Sequence, residues 1–417
     1  MERAALDAGV VQSRAPGGLT VVTEALPGAR GVALGVFVRF GTRDEARAQM
    51  GVAHLLEHLV FKGTDRRGPR ELARAIEGRG GALDAFTARD HTGFQAHVLG
   101  RDLAVAAEVL TDLVRRPLLR DEDLDLERNV VLEEIRAVED TPDDLVHDLH
   151  AQTLWPDDAH GFPILGTAET VAGLRARDLR AVHAAAYGAG NCVIAAAGAV
   201  EHDALLEALA AEGWLDAPSG PPVRRQAPAP ALRAVERVVE RDSAQVHVVV
   251  GTDTFGAGDP RRFALAMLVN AVGGGMGSRL FQRVREELGL AYGVWTATQL
   301  YHETGQLGTY VGSQPQTAAA ALQAIREEYA RVAAHGLAPG ELEEAREQLK
   351  GQLVLGLEGA GARMARLAGT ALAGLPYRPV DALLADVDAV RPDDVAALAA
   401  EYFAPERQTV VRLGPLD

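Results

Sequence analysis

The stretch 51–63, GVAHLLEHLVFKG, sets two imidazoles and a carboxylate inside an apolar run. If the run is helical, His54 and His58 leave the same face one turn apart, the spacing at which two imidazoles can share one metal ion. Glu57 follows His54 by three positions and projects near the same pole, where it could hold a water against a bound cation without being a ligand itself. The plainer reading is an amphipathic helix whose two histidines are surface polar residues or are satisfied by neighbours. What decides between them is what the rest of the chain brings to this helix.

A second group of carboxylates lies on Asp121–Glu139, DEDLDLERNVVLEEIRAVE, whose acidic first turn suits a helix N-terminus. Glu127, Val131, Glu134 and Val138 share one stripe of it. Carboxylates on a part-apolar face need partners if they are buried, and an ordinary solvated acidic face is the alternative. His91 and His97 fall in a strand-like region, where alternation places them on a solvated face.

The elements that must position these groups read as a mixture. Strands are expected at 18–24, 31–40, from Leu83, from Thr92 and at 191–197, and helices at 70–79, 103–114 and 176–187. At 417 residues the chain is too long for one ordinary core and suggests two domains of about 200 residues. The Pro-rich stretch 218–231, PSGPPVRRQAPAPA, has no apolar periodicity and reads as a linker. It divides a first domain, 1–217, from a second, 232–417. The halves resemble each other: 110–135 lies over 327–353 and 177–194 over 393–411, with Leu124 matching Leu342 at an offset of 218 and Tyr187 matching Phe403 at 216. At the first offset Glu134 meets Gln352, and the second half has no H-x-x-E-H. The expected fold is α+β, with two duplicated domains, each a mostly antiparallel sheet with helices packed on one face. If both halves share a fold, only the first has kept the residues for metal chemistry.

Composition narrows the function. An apolar fraction of 47% with 24% charged residues describes a soluble globular protein, and the net charge of −16 argues against nucleic acid or anionic lipid as the main partner. Cys192 is the one cysteine, so no internal disulfide exists and any metal must be held by His and carboxylates. The N-terminal stretch lacks a signal-like apolar region and no window reaches the ~18 apolar residues of a membrane span, so a cytoplasmic location is expected.

With these residues in view, the chain resembles the insulinase and pitrilysin group of inverted-motif zinc peptidases, in the short form akin to the mitochondrial processing peptidase subunits. The likeness spans nearly the whole length. H-x-x-E-H is the zincin order reversed. In that group a long fixed gap leads from the second His to a Glu in an E-R-x-x-x-L-x-E context, and 127–134, ERNVVLEE, matches with Glu134 76 residues after His58. The resemblance therefore implies one Zn²⁺ per chain held by His54, His58 and Glu134, with Glu57 as catalytic base and Glu127 as a supporting carboxylate. Residues 80–87, GGALDAFT, resemble the edge strand on which relatives lay the substrate backbone, which implies substrate contacts at Asp84, Ala85, Phe86 and Thr87, although the group commonly has Asn where Asp84 stands. Residues 160–167, HGFPILGT, resemble a family loop of unclear role. The run 273–280, GGGMGSRL, followed by Arg285 and Tyr292, resembles the glycine-rich loop and Arg/Tyr pair that contact substrate from the non-catalytic domain. Without the resemblance, Arg285 reads as a surface helix charge and Tyr292 as a core aromatic.

The implied activity is a zinc-dependent endopeptidase acting on oligopeptides or extended, unfolded segments. Two imidazoles and one carboxylate leave zinc an open position. Glu57 takes a proton from water and passes it to the departing amine, and Tyr292 with Arg285 shares the oxyanion charge. Two alternatives stand beside it: a non-catalytic scaffold or partner subunit, whose known examples usually lose ligands, and a dedicated leader-peptide processing protease. Long relatives build a clam-shell from four such domains. A two-domain chain is accordingly expected to form a homodimer, with Arg285 and Tyr292 of one protomer facing the zinc of the other.

Overall fold

The computed structural model describes residues 1–218 and 231–415; the expected linker at 218–231 lies almost wholly outside them. Seven strands form the first sheet: β1 (Glu2–Asp7), β2 (Val10–Arg14), β3 (Thr20–Ala25), β4 (Gly31–Val38), β5 (Ala82–Thr87), β6 (Thr92–Leu99) and β7 (Cys192–Gly198). Their order is β1-β2-β3-β7-β4-β6-β5, antiparallel throughout except for the β3–β7 pair. All seven residues of β7, CVIAAAG, are buried, because this central strand is covered on both faces.

On one face of this sheet, Leu34, Val36 and Val38 of β4 join a core built with the helices Val52–Val60 and Leu103–Arg115. The opposite face, with Val22, Ala33, Phe37, Val193 and Ala195, packs against Met364, Leu367 and Ala368 of the helix Ala360–Leu372. Full burial of a Leu or Met is worth about 1.5–3 kcal/mol, so one amphipathic helix suffices to seal this side.

The second sheet holds β8 (Glu236–Glu240), β9 (Val246–Phe255), β10 (Ala291–Leu300), β11 (Thr304–Ser313) and β12 (Thr409–Gly414), in the order β10-β11-β9-β12-β8. Its main core is shared with the helices Arg262–Gly273, Pro315–His335 and Pro392–Tyr402. Its other face packs Val249, Val411 and Leu413 against Val146 and Leu149 of the helix Pro142–Leu154.

The two compact units are therefore discontinuous in sequence. One comprises Met1–Ile135, Pro163–Gln226 and Gly356–Tyr377, and the other Arg136–Phe162, Ala227–Leu355 and Arg378–Asp417. The contiguous expectation, 1–217 and 232–417, is corrected by one helix in each direction: Pro142–Leu154 packs on the second sheet and Ala360–Leu372 on the first. Among the described residues, each sheet thus carries a helix on the face opposite its main layer, in addition to the one-sided covering expected. The sequence reading also passed over β1 and β2. Nearly every residue of β1 is exposed, so it carries no alternation to read.

Candidate metal centre

The helix Val52–Val60 buries Val52, Ala53, Leu55, Leu56, Leu59 and Val60, which leaves His54, Glu57 and His58 on its remaining face. Its start is pinned in two ways. Glu45, only 7% exposed, accepts the amides of Gly51 at 2.9 Å and Ala53 at 2.8 Å, so its carboxylate caps the orphan N–H groups of the first turn. Burial pushes the Glu45 carboxyl up to about 8 against the lowering effect of those two amides. Gly51 adopts φ 87°, and a Cβ there would come 2.5 Å from the carbonyl oxygen of Leu165. Thr170 Oγ1 donates to the carbonyl of Met50 at 2.9 Å. The 163–167 portion of the HGFPILGT loop thus has a structural role, packing against the entry of the histidine helix.

The opposing surface comes from Asp121–Glu139, which buries Leu124, Glu127, Val131 and Ile135. His54 Nε2 lies 3.8 Å and His58 Nε2 3.6 Å from Glu134 Oε2, and the two rings stand 4.6 Å apart. One donor atom from each of the three residues falls within 4.8 Å of the others. Among the described residues Glu134 Oε2 and His54 Nδ1 are buried without a hydrogen-bond partner. A buried carboxylate oxygen without a donor, facing two imidazole nitrogens, is a donor set that fits Zn²⁺. Burial, and secondarily the neighbouring His58, pushes His54 down to about 3, which keeps it in the neutral form a metal needs.

Glu127 and Glu57 flank this set. Glu127 Oε2 lies 3.1 Å from His58 Nδ1, which turns Nε2 of that ring toward Glu134, and Lys62 Nζ lies 2.6 Å from the other Glu127 oxygen. Glu57 Oε2 accepts a 2.6 Å hydrogen bond from Thr87 Oγ1. Burial raises the Glu57 carboxyl above its ordinary range, and the Thr87 hydrogen bond opposes that rise.

The remaining candidates are placed as follows. Asp84, Ala85, Phe86 and Thr87 lie on β5, the outermost strand of the first sheet, with Asp84 and Phe86 exposed and Ala85 and Thr87 half-buried. Asp84 accepts a 3.3 Å hydrogen bond from Gln95. Arg285 and Tyr292 belong to the second unit and are brought to each other: the Arg285 guanidinium sits 4.6 Å over the Tyr292 ring and donates to the Tyr292 carbonyl at 3.1 Å. Tyr292 is 79% exposed, which overturns the core-aromatic reading. His97 is exposed on β6, whereas His91 precedes that strand and pairs with Asp90 at 2.7 Å. Sequence reasoning missed Glu45, Lys62 and the bond from Thr87 to Glu57. Only Lys62 left a signal, its position four residues after His58.

Known proteins bear on this geometry. Residues 20–168 match the family described as insulinase (peptidase family M16), and 173–349 match the peptidase M16 inactive domain. An uncharacterized zinc protease of Streptomyces coelicolor is 41% identical over 407 residues, covering 96% of this chain and 88% of that one. An uncharacterized zinc protease of Bacillus subtilis is 33% identical over 389 residues, covering 93% and 94%. In fold, a protease from Helicobacter pylori superposes with a TM-score of 0.91 at 20% identity, covering 97% of this chain and 99% of that one. Long sequence likeness across both halves establishes kinship: the chain belongs to the insulinase family of peptidases, M16.

Proposed function

We propose that the protein is a zinc metalloendopeptidase that hydrolyses oligopeptides or extended, unfolded segments. The observation that carries this reading is the convergence of His54, His58 and Glu134 donor atoms within 4.8 Å of one another, beside a carboxylate held by its own hydrogen bond. His54, His58 and Glu134 would hold the ion. When bound, zinc supplies Lewis acidity to water and to a peptide carbonyl. Glu57 accepts a proton from the attacking water and returns it to the departing amine, and burial raises its carboxyl above the ordinary range. Thr87 fixes the direction of the Glu57 carboxylate, while Glu127 fixes the His58 ring. The outer edge of β5 offers backbone groups on which an extended substrate can pair.

Metal analysis with a quenched-peptide assay tests the reading. Wild type should bind one zinc per chain and cleave; Glu57→Gln should keep the metal and lose cleavage. Equal cleavage by both proteins, or no metal in either, would defeat it. The same reading assigns Arg285 and Tyr292 to substrate in a homodimer. Mixing inactive Glu57→Gln protomers with inactive Arg285→Ala protomers should then restore cleavage, and a fully active monomer would refute the dimer.

A further inference from the structure

We propose that Lys62 is a positioning residue for this metal site: its ammonium holds Glu127 in the orientation that fixes His58, and so sets the affinity for zinc. The inference rests on the zinc reading above. His54, His58 and Lys62 succeed one another at four-residue intervals, with Lys62 just beyond the helix end at Val60. Lys62 Nζ lies 2.6 Å from Glu127 Oε1, and Glu127 Oε2 lies 3.1 Å from His58 Nδ1. The carboxylate is thus held at both oxygens.

Burial makes that second contact matter. The Glu127 side chain is 7% exposed, and a buried carboxylate persists in one orientation only while partners hold it there. With Glu127 accepting at Nδ1, the His58 proton resides on that nitrogen and Nε2 is free to face Glu134 Oε2, 3.6 Å away. The backbone of Lys62 is itself anchored, since Arg120 Nη2 donates to its carbonyl at 3.1 Å. Removing the ammonium leaves one oxygen of Glu127 without its partner and lets the carboxylate turn away from the imidazole. A cation that merely complemented the helix C-terminus would act differently, stabilising the helix equally with and without metal.

Zinc dissociation constants by chelator competition, and melting temperatures of the metal-free proteins, separate the two roles. The set is wild type, Lys62→Met, Lys62→Arg, Glu127→Gln and the Glu127→Gln/Lys62→Met double variant. Lys62→Met should weaken zinc ~10–100-fold, the range for groups that orient a ligand, with Lys62→Arg recovering most of it. Once Glu127→Gln is present, Lys62→Met should change zinc affinity no further. Unaltered affinity in Lys62→Met, full additivity with Glu127→Gln, or an effect confined to the metal-free melting temperature would each overturn the proposal. Absence of zinc binding by wild type would instead sink the zinc reading, and this one with it. If Lys62→Met does not fold, Lys62→Gln takes its place in the same comparison.

Discussion

The histidine helix and the carboxylate helix of the first unit have counterparts in the second. Arg262–Gly273 follows β9 as Val52–Val60 follows β4, and Pro339–Gly356 carries Gln352 at the offset that matches Glu134. In the second unit Asn270 Nδ2 donates to Gln352 Oε1 at 3.0 Å at an exposed position, so two neutral amides meet there. In the first, Glu134 Oε2 faces two imidazoles with no donor. One scaffold therefore supports two outcomes: a pair of neutral amides joined by a hydrogen bond, and a convergent acceptor set whose complement is a cation.

Giving the first unit the residue of the second is the sharpest way to break this contrast. Glu134→Gln should reduce zinc affinity and peptide cleavage by at least ~100-fold, since even residues that only orient ligands cost 10–100-fold. Chelator competition and the quenched-peptide assay measure both. Thr87→Val removes a hydrogen bond to a charged acceptor, worth roughly 1.5–3 kcal/mol, and should lower kcat by ~10–100-fold while zinc affinity stays within twofold. A fall in zinc affinity as large as the fall in kcat would place Thr87 with the ligands instead.

The second unit responds to acid in its own way. His150, buried on Pro142–Leu154 with Nε2 3.3 Å from the Thr409 carbonyl, is pushed down to about 4 by burial. An unfolded histidine binds its proton near 6.5, so the folded state loses stability as pH falls below that value and the loss is complete near 4. Between pH 7 and 4.5 this amounts to about 2–3 kcal/mol. Urea denaturation of His150→Gln should show a pH-dependent loss smaller by that amount. The smallest effect belongs to Gln352→Glu. It retains an acceptor for Asn270 but supplies no imidazole pair, so stability should shift by no more than ~0.5 kcal/mol and metal analysis should still find one zinc per chain.

Helical periodicity made two faces of the centre legible, while their meeting at Glu134 was implied by the family resemblance alone. His54 and His58 four apart, and Glu127 and Glu134 seven apart, declare their shared faces in any single sequence. The helix Asp121–Glu139 has the bounds its composition suggested. Glu45 was illegible, since its partners are backbone amides six and eight residues on, across an irregular turn that leaves no periodic trace. The exchanged helices were illegible for a related reason. The apolar stripe of Met364, Leu367 and Ala368 states that a helix must be covered, without stating by which sheet.

That exchange governs how the molecule can be taken apart. A polypeptide severed near the Pro-rich stretch yields two pieces, each missing the helix that seals one side of its sheet. The amino-terminal piece would bare Val22, Phe37, Val193 and their neighbours to water, an invitation to aggregate. Reciprocal loans of this kind tie the fate of the half that carries His54 and His58 to that of its sibling: a gene encoding either alone would specify an unfinished protein, and deletion of the second half would strip one cover from the first sheet without touching His54, His58 or Glu134.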